Sequence, residues 1–175
     1  TAQLQTEILS TPVLVGDKVL VRTQDGAITA LDQKTGQVIW DYRVEAGSLS
    51  LRQPYALTVD DGVVYAGFSG ARLKALSLQN GELQWEARLS RSMGANELER
   101  LNDVVAAPVV DANQVCAVAY QGRLACYAKN TGALLWSREA SSYQALTMDA
   151  TQVYLTDDMG IVQAFNKETG ATNWK

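Results

Sequence analysis

The sequence predicts an all-β chain, a β-propeller built of four-stranded antiparallel blades, and three observations carry that prediction. First, one segment ending in tryptophan recurs four times, as Val19–Trp40 (VLVRTQDGAITALDQKTGQVIW), Val63–Trp85 (VVYAGFSGARLKALSLQNGELQW), Val115–Trp136 (VCAVAYQGRLACYAKNTGALLW) and Val153–Trp174 (VYLTDDMGIVQAFNKETGATNW). The first Val and the turn Gly (Gly26, Gly70, Gly122, Gly160) are seven positions apart in every copy, and Gly to Trp is fourteen, or fifteen in the second. Second, all four tryptophans close a G-x-x-x-W motif, on Gly36, Gly81, Gly132 and Gly170. Third, Val13-Leu14-Val15, Val19-Leu20-Val21 and Val153-Tyr154-Leu155 are apolar at successive positions, as in strands covered on both faces.

Each element follows from local chemistry. The tripeptides QDG, FSG, YQG and DMG end in glycine, the residue that takes the left-handed position closing a short hairpin, and KTG, QNG, NTG and ETG repeat that device further on. With the apolar runs before each copy (Pro12–Val15, Tyr55–Val59, Pro108–Val110, Ala145–Met148), every unit becomes a four-stranded meander, and such units repeated at about 40 residues are propeller blades. The expected blades cover 11–44, 55–89, 107–140 and 145–175. Residues 1–10 resemble the last strand of a preceding blade. Both ends read as cut, so the chain is expected to be part of a larger ring or an artificially closed smaller one. The recurrent Trp is read as a wedge between blades rather than a ligand platform, because its indole buries a large area and its N–H still finds a partner.

The junctions between copies differ in length. Val63 lies 23 positions after Trp40, Val115 lies 30 after Trp85, and Val153 only 17 after Trp136. Against the shortest, the first two carry insertions of about six and thirteen residues, and insertions at equivalent places of successive repeats map to one face, often the binding face. In the first (EAGSLSLRQPYA), Leu49 and Leu51 point the same way if extended, beside Arg52. They form either an exposed anchor pair with a guanidinium or the start of the next inner strand facing the core. In the second (SRSMGANELERLNDVVA), Asn96 followed by Glu99 predicts a capped helical turn over 97–101. Asp103 then either braces the loop or accepts a partner's cation, and bracing is the preferred reading of a lone acid.

Cys116 and Cys126 lie ten positions apart on two arms of one hairpin. A three-residue turn over Tyr120-Gln121-Gly122 puts them directly opposite at a non-hydrogen-bonded pair, close enough for a disulfide; two small buried thiols are the alternative. An oxidised pair would favour an extracytoplasmic setting.

Composition excludes several functions. The 175 residues carry a net charge of −4 with scattered Lys and Arg, which disfavours nucleic acid. No run of eighteen apolar residues occurs. The absence of histidine removes Ser-His-Asp and Cys-His catalysis and His-ligated metals, and no phosphate-cradling glycine motif is present. Carboxylates concentrate in turns (Asp25, Asp60, Asp61, Asp157, Asp158), where Asp satisfies local donors. No cofactor is expected, and the chain reads as a binding surface.

The A-[L/F/Y]-x-x-x-[T/N]-G-x-x-x-W pattern resembles the PQQ-like propeller repeat, and the insertions SLSLRQPYA and ANELERLNDVVAAPVV resemble those of the BamB family of outer-membrane β-barrel assembly lipoproteins. That resemblance implies an eight-bladed ring, a lipid anchor at the periplasmic face of the outer membrane, and a non-enzymatic scaffold. It further implies binding to a POTRA domain of BamA, contact with other assembly subunits and nascent outer-membrane proteins, and support of barrel folding. The family's L-x-L-R contact carries over as Leu49, Leu51 and Arg52. Its acidic D-x-D loop carries over only as Asp103, since Val105 replaces the second acid. A fragment of a PQQ-dependent quinoprotein dehydrogenase is the enzymatic alternative, opposed by cysteines that are ten apart rather than adjacent. A generic extracytoplasmic protein-binding or glycan-binding propeller is the third.

Overall fold

The computed structural model describes residue 4 and residues 6–44, 56–89 and 103–175. These form four separate four-stranded antiparallel sheets, each in simple chain order, and contain no helix among the described residues. The first sheet holds β1 (Val13–Val15), β2 (Lys18–Arg22), β3 (Ile28–Asp32) and β4 (Val38–Tyr42); the second holds β5 (Leu57–Asp60), β6 (Val63–Phe68), β7 (Arg72–Ser77) and β8 (Leu83–Arg88). The third holds β9 (Val109–Val110), β10 (Gln114–Val118), β11 (Arg123–Ala128) and β12 (Leu134–Glu139). The fourth holds β13 (Thr147–Met148), β14 (Gln152–Thr156), β15 (Val162–Asn166) and β16 (Thr172–Trp174). Residues 6–10 run ahead of β1 without strand pairing.

Register makes the repeat literal. One cross-strand row in each blade ends on its tryptophan: Val13–Leu20–Ala30–Trp40, Thr58–Tyr65–Ala75–Trp85, Val109–Cys116–Cys126–Trp136 and Thr147–Tyr154–Ala164–Trp174. These rows correct the alignment read from the sequence. In the second blade Val64, not Val63, takes the place of Val115, and Ala71, at φ 54°, closes the turn one residue after Gly70. The fifteen-residue spacing from Gly70 to Trp85 is therefore an early glycine, with the sheet behind it unchanged. The outer strand carries one extra residue at the same place in every blade, between the partners of Ala30 and Leu31, Ala75 and Leu76, Cys126 and Tyr127, and Ala164 and Phe165. A bulge there twists the outer edge and blunts its capacity to pair with another strand.

The tryptophans wedge successive blades together as expected. Trp40 donates its indole N–H to Leu78 C=O (2.9 Å), Trp85 to Lys129 C=O (3.0 Å) and Trp136 to Lys167 C=O (2.8 Å). Each acceptor stands three residues before Gly81, Gly132 or Gly170, and each ring lies flat on that glycine. A methyl group added there would stand 2.4–2.7 Å from the nearest ring carbon, so the glycine supplies both the left-handed turn and the floor for the indole. Trp174 instead lies 48% exposed beside Tyr154.

The core is three clusters, one at each junction. Leu20, Ile28, Trp40, Val64 and Phe68 fill the first, Tyr65, Leu73, Trp85, Val104 and Val115 the second, and Val118, Leu124, Trp136, Val153 and Phe165 the third. At one repeated contact below the wedges the chemistry changes while the place is kept. Lys129 pairs with Asp60 (2.5 Å) and Lys167 with Asp111 (2.7 Å), whereas Leu78 and Val15 stand at the corresponding positions of the first junction and pack apolarly. Strand β2 is largely covered on both sides as predicted, and β10 is covered in the same way; β14 alternates instead, with Tyr154 half-buried, and Leu14 is 61% exposed because it points away from the second blade.

Cys116 and Cys126 face each other in register, with Cα atoms 4.0 Å apart, and are joined as a disulfide wholly buried beside Trp136. Ala119 N–H donates to Arg123 C=O, which closes the predicted three-residue turn and sets that register. A ten-residue link constrains mainly the unfolded chain. Replacing both cysteines by alanine is expected to lower the unfolding free energy by about 2–3 kcal/mol, checked by denaturant titration, and reductant should cost the parent chain a similar amount.

Candidate functional site

In a four-stranded meander the β2–β3 type of turn and the link from the fourth strand to the next blade lie at the same end. Those turns (around Gln24, Ser69, Tyr120 and Asp158) and the three blade-to-blade links therefore share one rim. The links differ greatly: residues 43–56 after β4, 89–108 after β8 and only 140–146 after β12. Both long links thus open at adjacent junctions of one rim, as their repeat positions predicted. Leu49, Leu51, Arg52 and the predicted turn over 97–101 lie outside the described residues.

Asp103 is described, and it is buried, 1% exposed. Its carboxylate accepts the Gly70 amide of the second blade (3.3 Å) and its own carbonyl accepts the Tyr120 amide of the third (2.9 Å), the bracing geometry preferred for a lone acid. From there the chain dives inward. Val104 N–H donates to Phe68 C=O (3.2 Å), and Val104 presses on Gly67 so closely that a methyl group there would stand 2.2 Å from the Val104 carbonyl oxygen. Val105 is 5% exposed and its carbonyl accepts the Ala56 amide (3.4 Å).

Sequence reasoning missed the polar anchor beneath this rim. Arg22 is 3% exposed, donates to Gly67 C=O and lies 4.5 Å over the Phe68 ring, while Lys74 reaches Tyr42 Oη (2.9 Å) and Glu86 (3.1 Å) in the same junction. Two cations flanking one phenylalanine stiffen the wall from which the first long link departs. A basic residue, Arg22, directly after the apolar run Val19–Val21 was the available signal. Ser141 was missed too; it stands at the rim where Asp103 stands one blade earlier.

Asp25 and Asp157 serve their own turns, whereas the Asp158 carboxylate accepts from the Ser141 hydroxyl. The Thr23 hydroxyl holds Asp25 below the ordinary carboxylate range, and the Ile161 amide does the same for Asp157. Burial pushes the Tyr127 phenol well above its ordinary value, away from any acid-base duty near neutral pH. Among the described residues no group of three or more His, Cys, Asp or Glu could hold a metal.

A family model described as outer membrane protein assembly factor BamB matches residues 1–175. The chain belongs to the BamB family. It is 40% identical over 175 residues to the outer membrane protein assembly factor BamB of Burkholderia pseudomallei, covering 99% of this chain and 46% of that protein. The crystal structure of BamB from Moraxella catarrhalis superposes with a TM-score of 0.89 at 32% identity, over 99% of this chain and 53% of that one. The chain thus spans about half the length of the BamB relatives it matches. Quinohemoprotein alcohol dehydrogenase from Comamonas testosteroni superposes with a TM-score of 0.73 at 17% identity, over 97% of this chain and 34% of that one, a likeness of fold alone. The superposition on BamB accounts for the four blades.

Proposed function

We propose that this chain belongs to a non-enzymatic scaffold subunit of the outer-membrane β-barrel assembly machinery and docks the periplasmic POTRA region of BamA, supporting insertion of other outer-membrane proteins. The subunit works at the periplasmic face of the outer membrane, held by a lipid on the longer polypeptide, within an eight-bladed ring. The observation that carries this reading is membership of the BamB family over the whole 175 residues, with both long links opening at adjacent junctions of one rim. The partner surface is assigned to Leu49, Leu51 and Arg52 on the first link, and Asp103, whose side chain is buried, helps by bracing the root of the second. By count, Arg52 stands six residues ahead of Thr58, as Asp103 stands six ahead of Val109, so the two occupy corresponding places in successive repeats.

Leu51→Glu or Arg52→Glu is expected to weaken binding to a purified POTRA region by about 30-fold or more, the loss of one hot-spot side chain, while the thermal midpoint stays within a few degrees. Calorimetric titration checks the first and circular dichroism the second. Unchanged affinity in both variants defeats the docking assignment. Saturable binding of PQQ with calcium would instead favour the dehydrogenase reading.

A further inference from the structure

The repeat geometry separates two roles for Asp103, contact with the partner and control of the rim. We propose that Asp103 is a positioning residue, which acts on docking by clamping the turns of the second and third blades and setting where the second long link leaves the ring. This rests on the docking assignment above, though the clamp itself does not.

Three observations converge. Asp103 is buried at 1% exposure, so its carboxylate is turned into the junction and not toward a partner. It holds both neighbours at once, Gly70 N–H through the side chain and Tyr120 N–H through the main chain. The next junction builds the same pair of contacts on an uncharged residue: Ser141 C=O accepts the Asp158 amide (3.3 Å), and Ser141 Oγ accepts the Gln121 amide (2.8 Å) while donating to the Asp158 carboxylate. Register makes these equivalent, since Asp103 and Ser141 each stand six residues ahead of the inner-strand residue opposite Cys116 or Tyr154. Even ahead of the first blade, Glu7 C=O accepts the Gln24 amide (2.8 Å) six residues before Val13. What Asp103 and Ser141 share is a short side chain whose oxygen accepts an amide from the preceding blade's turn, and that acceptor is what the clamp requires of the side chain. Directly beyond it, Val104 is locked onto Gly67, so loosening the clamp shifts the root of the link on one side and the wall around Phe68 on the other.

The serine of the neighbouring junction supplies the test. In the full chain, Asp103→Ser keeps an acceptor for Gly70 and removes the charge, while Asp103→Ala removes both. Expected are POTRA-region affinity within about threefold of the parent for Asp103→Ser, and about tenfold or greater loss for Asp103→Ala, the scale of one buried donor left unsatisfied. Hydrogen exchange at the Gly70 amide should stay slow in the serine variant and quicken in the alanine variant. Serine binding as weakly as alanine while Gly70 stays protected would overturn the inference in favour of direct charge contact, and a Gly70 amide unaffected by alanine would overturn it outright. Should the alanine variant fail to fold, the serine variant alone decides by the same two readouts. The Leu51→Glu control keeps the outcomes apart: if it leaves affinity unchanged, the docking assignment fails while the exchange data still judge the clamp.

Discussion

Trp85→Ala is expected to lower the unfolding free energy by about 3–5 kcal/mol, the cost of a large aromatic deleted from a packed interior. Trp85 is only 9% exposed, lies on Gly132, meets the Tyr65 ring at 6.0 Å and donates to Lys129 C=O. Its removal opens a cavity between the second and third blades and leaves a carbonyl without its donor, and the site cannot collapse because sheets on both sides hold it open. Trp174→Ala in the same 175-residue chain should cost much less, since that indole is already 48% exposed. Thermal and urea unfolding of the two variants side by side check this. Equal losses would mean that the tryptophan works within its own blade instead of between blades.

The contrast also marks what could be read from the residues. Recurrence of G-x-x-x-W with two glycine-ended turns was enough for blades, strand order and the wedge, because cross-strand pairing is fixed locally by short turns. The disulfide register was legible for the same reason: three turn residues determine which pairs face each other. What escaped was which residues meet each other across a junction. That each wedge glycine is the floor for the tryptophan of the preceding blade depends on a contact between residues about 40 positions apart, and neither partner signals it alone. The swap of Lys129–Asp60 for Leu78–Val15 is invisible until register aligns the junctions. The early Gly70 misled by one residue because Ala71 took the left-handed turn position that glycine usually fills. At the rim, bracing was the preferred reading of Asp103, but which turns it braces was not legible. Whether it faces a partner or the junction is decided by Val104 and Gly67, whose fit no periodicity encodes.

That fit gives the second large effect. Gly67→Ala is expected to destabilise the chain by about 3 kcal/mol or more, the upper range for forcing a methyl group into a filled interior. The added carbon would stand 2.2 Å from the Val104 carbonyl oxygen and 2.3 Å from its side chain. Gly67 is the penultimate residue of β6 and does not adopt a left-handed backbone, so the penalty is steric and not conformational. Either β6 must move, which strains its pairing with β7 and the Arg22 bond to Gly67 C=O, or Val104 must withdraw and give up its bond to Phe68. The second route is the cheaper, because Val104 lies in a link and β6 is central in a sheet. The variant should therefore keep four folded blades at low temperature while exchange quickens at the Val104 and Gly70 amides and POTRA binding falls with them. Val104→Ala added to Gly67→Ala should not restore stability, since the nearest clash is with backbone oxygen; a full rescue by that pair would show that only the side chain was in the way.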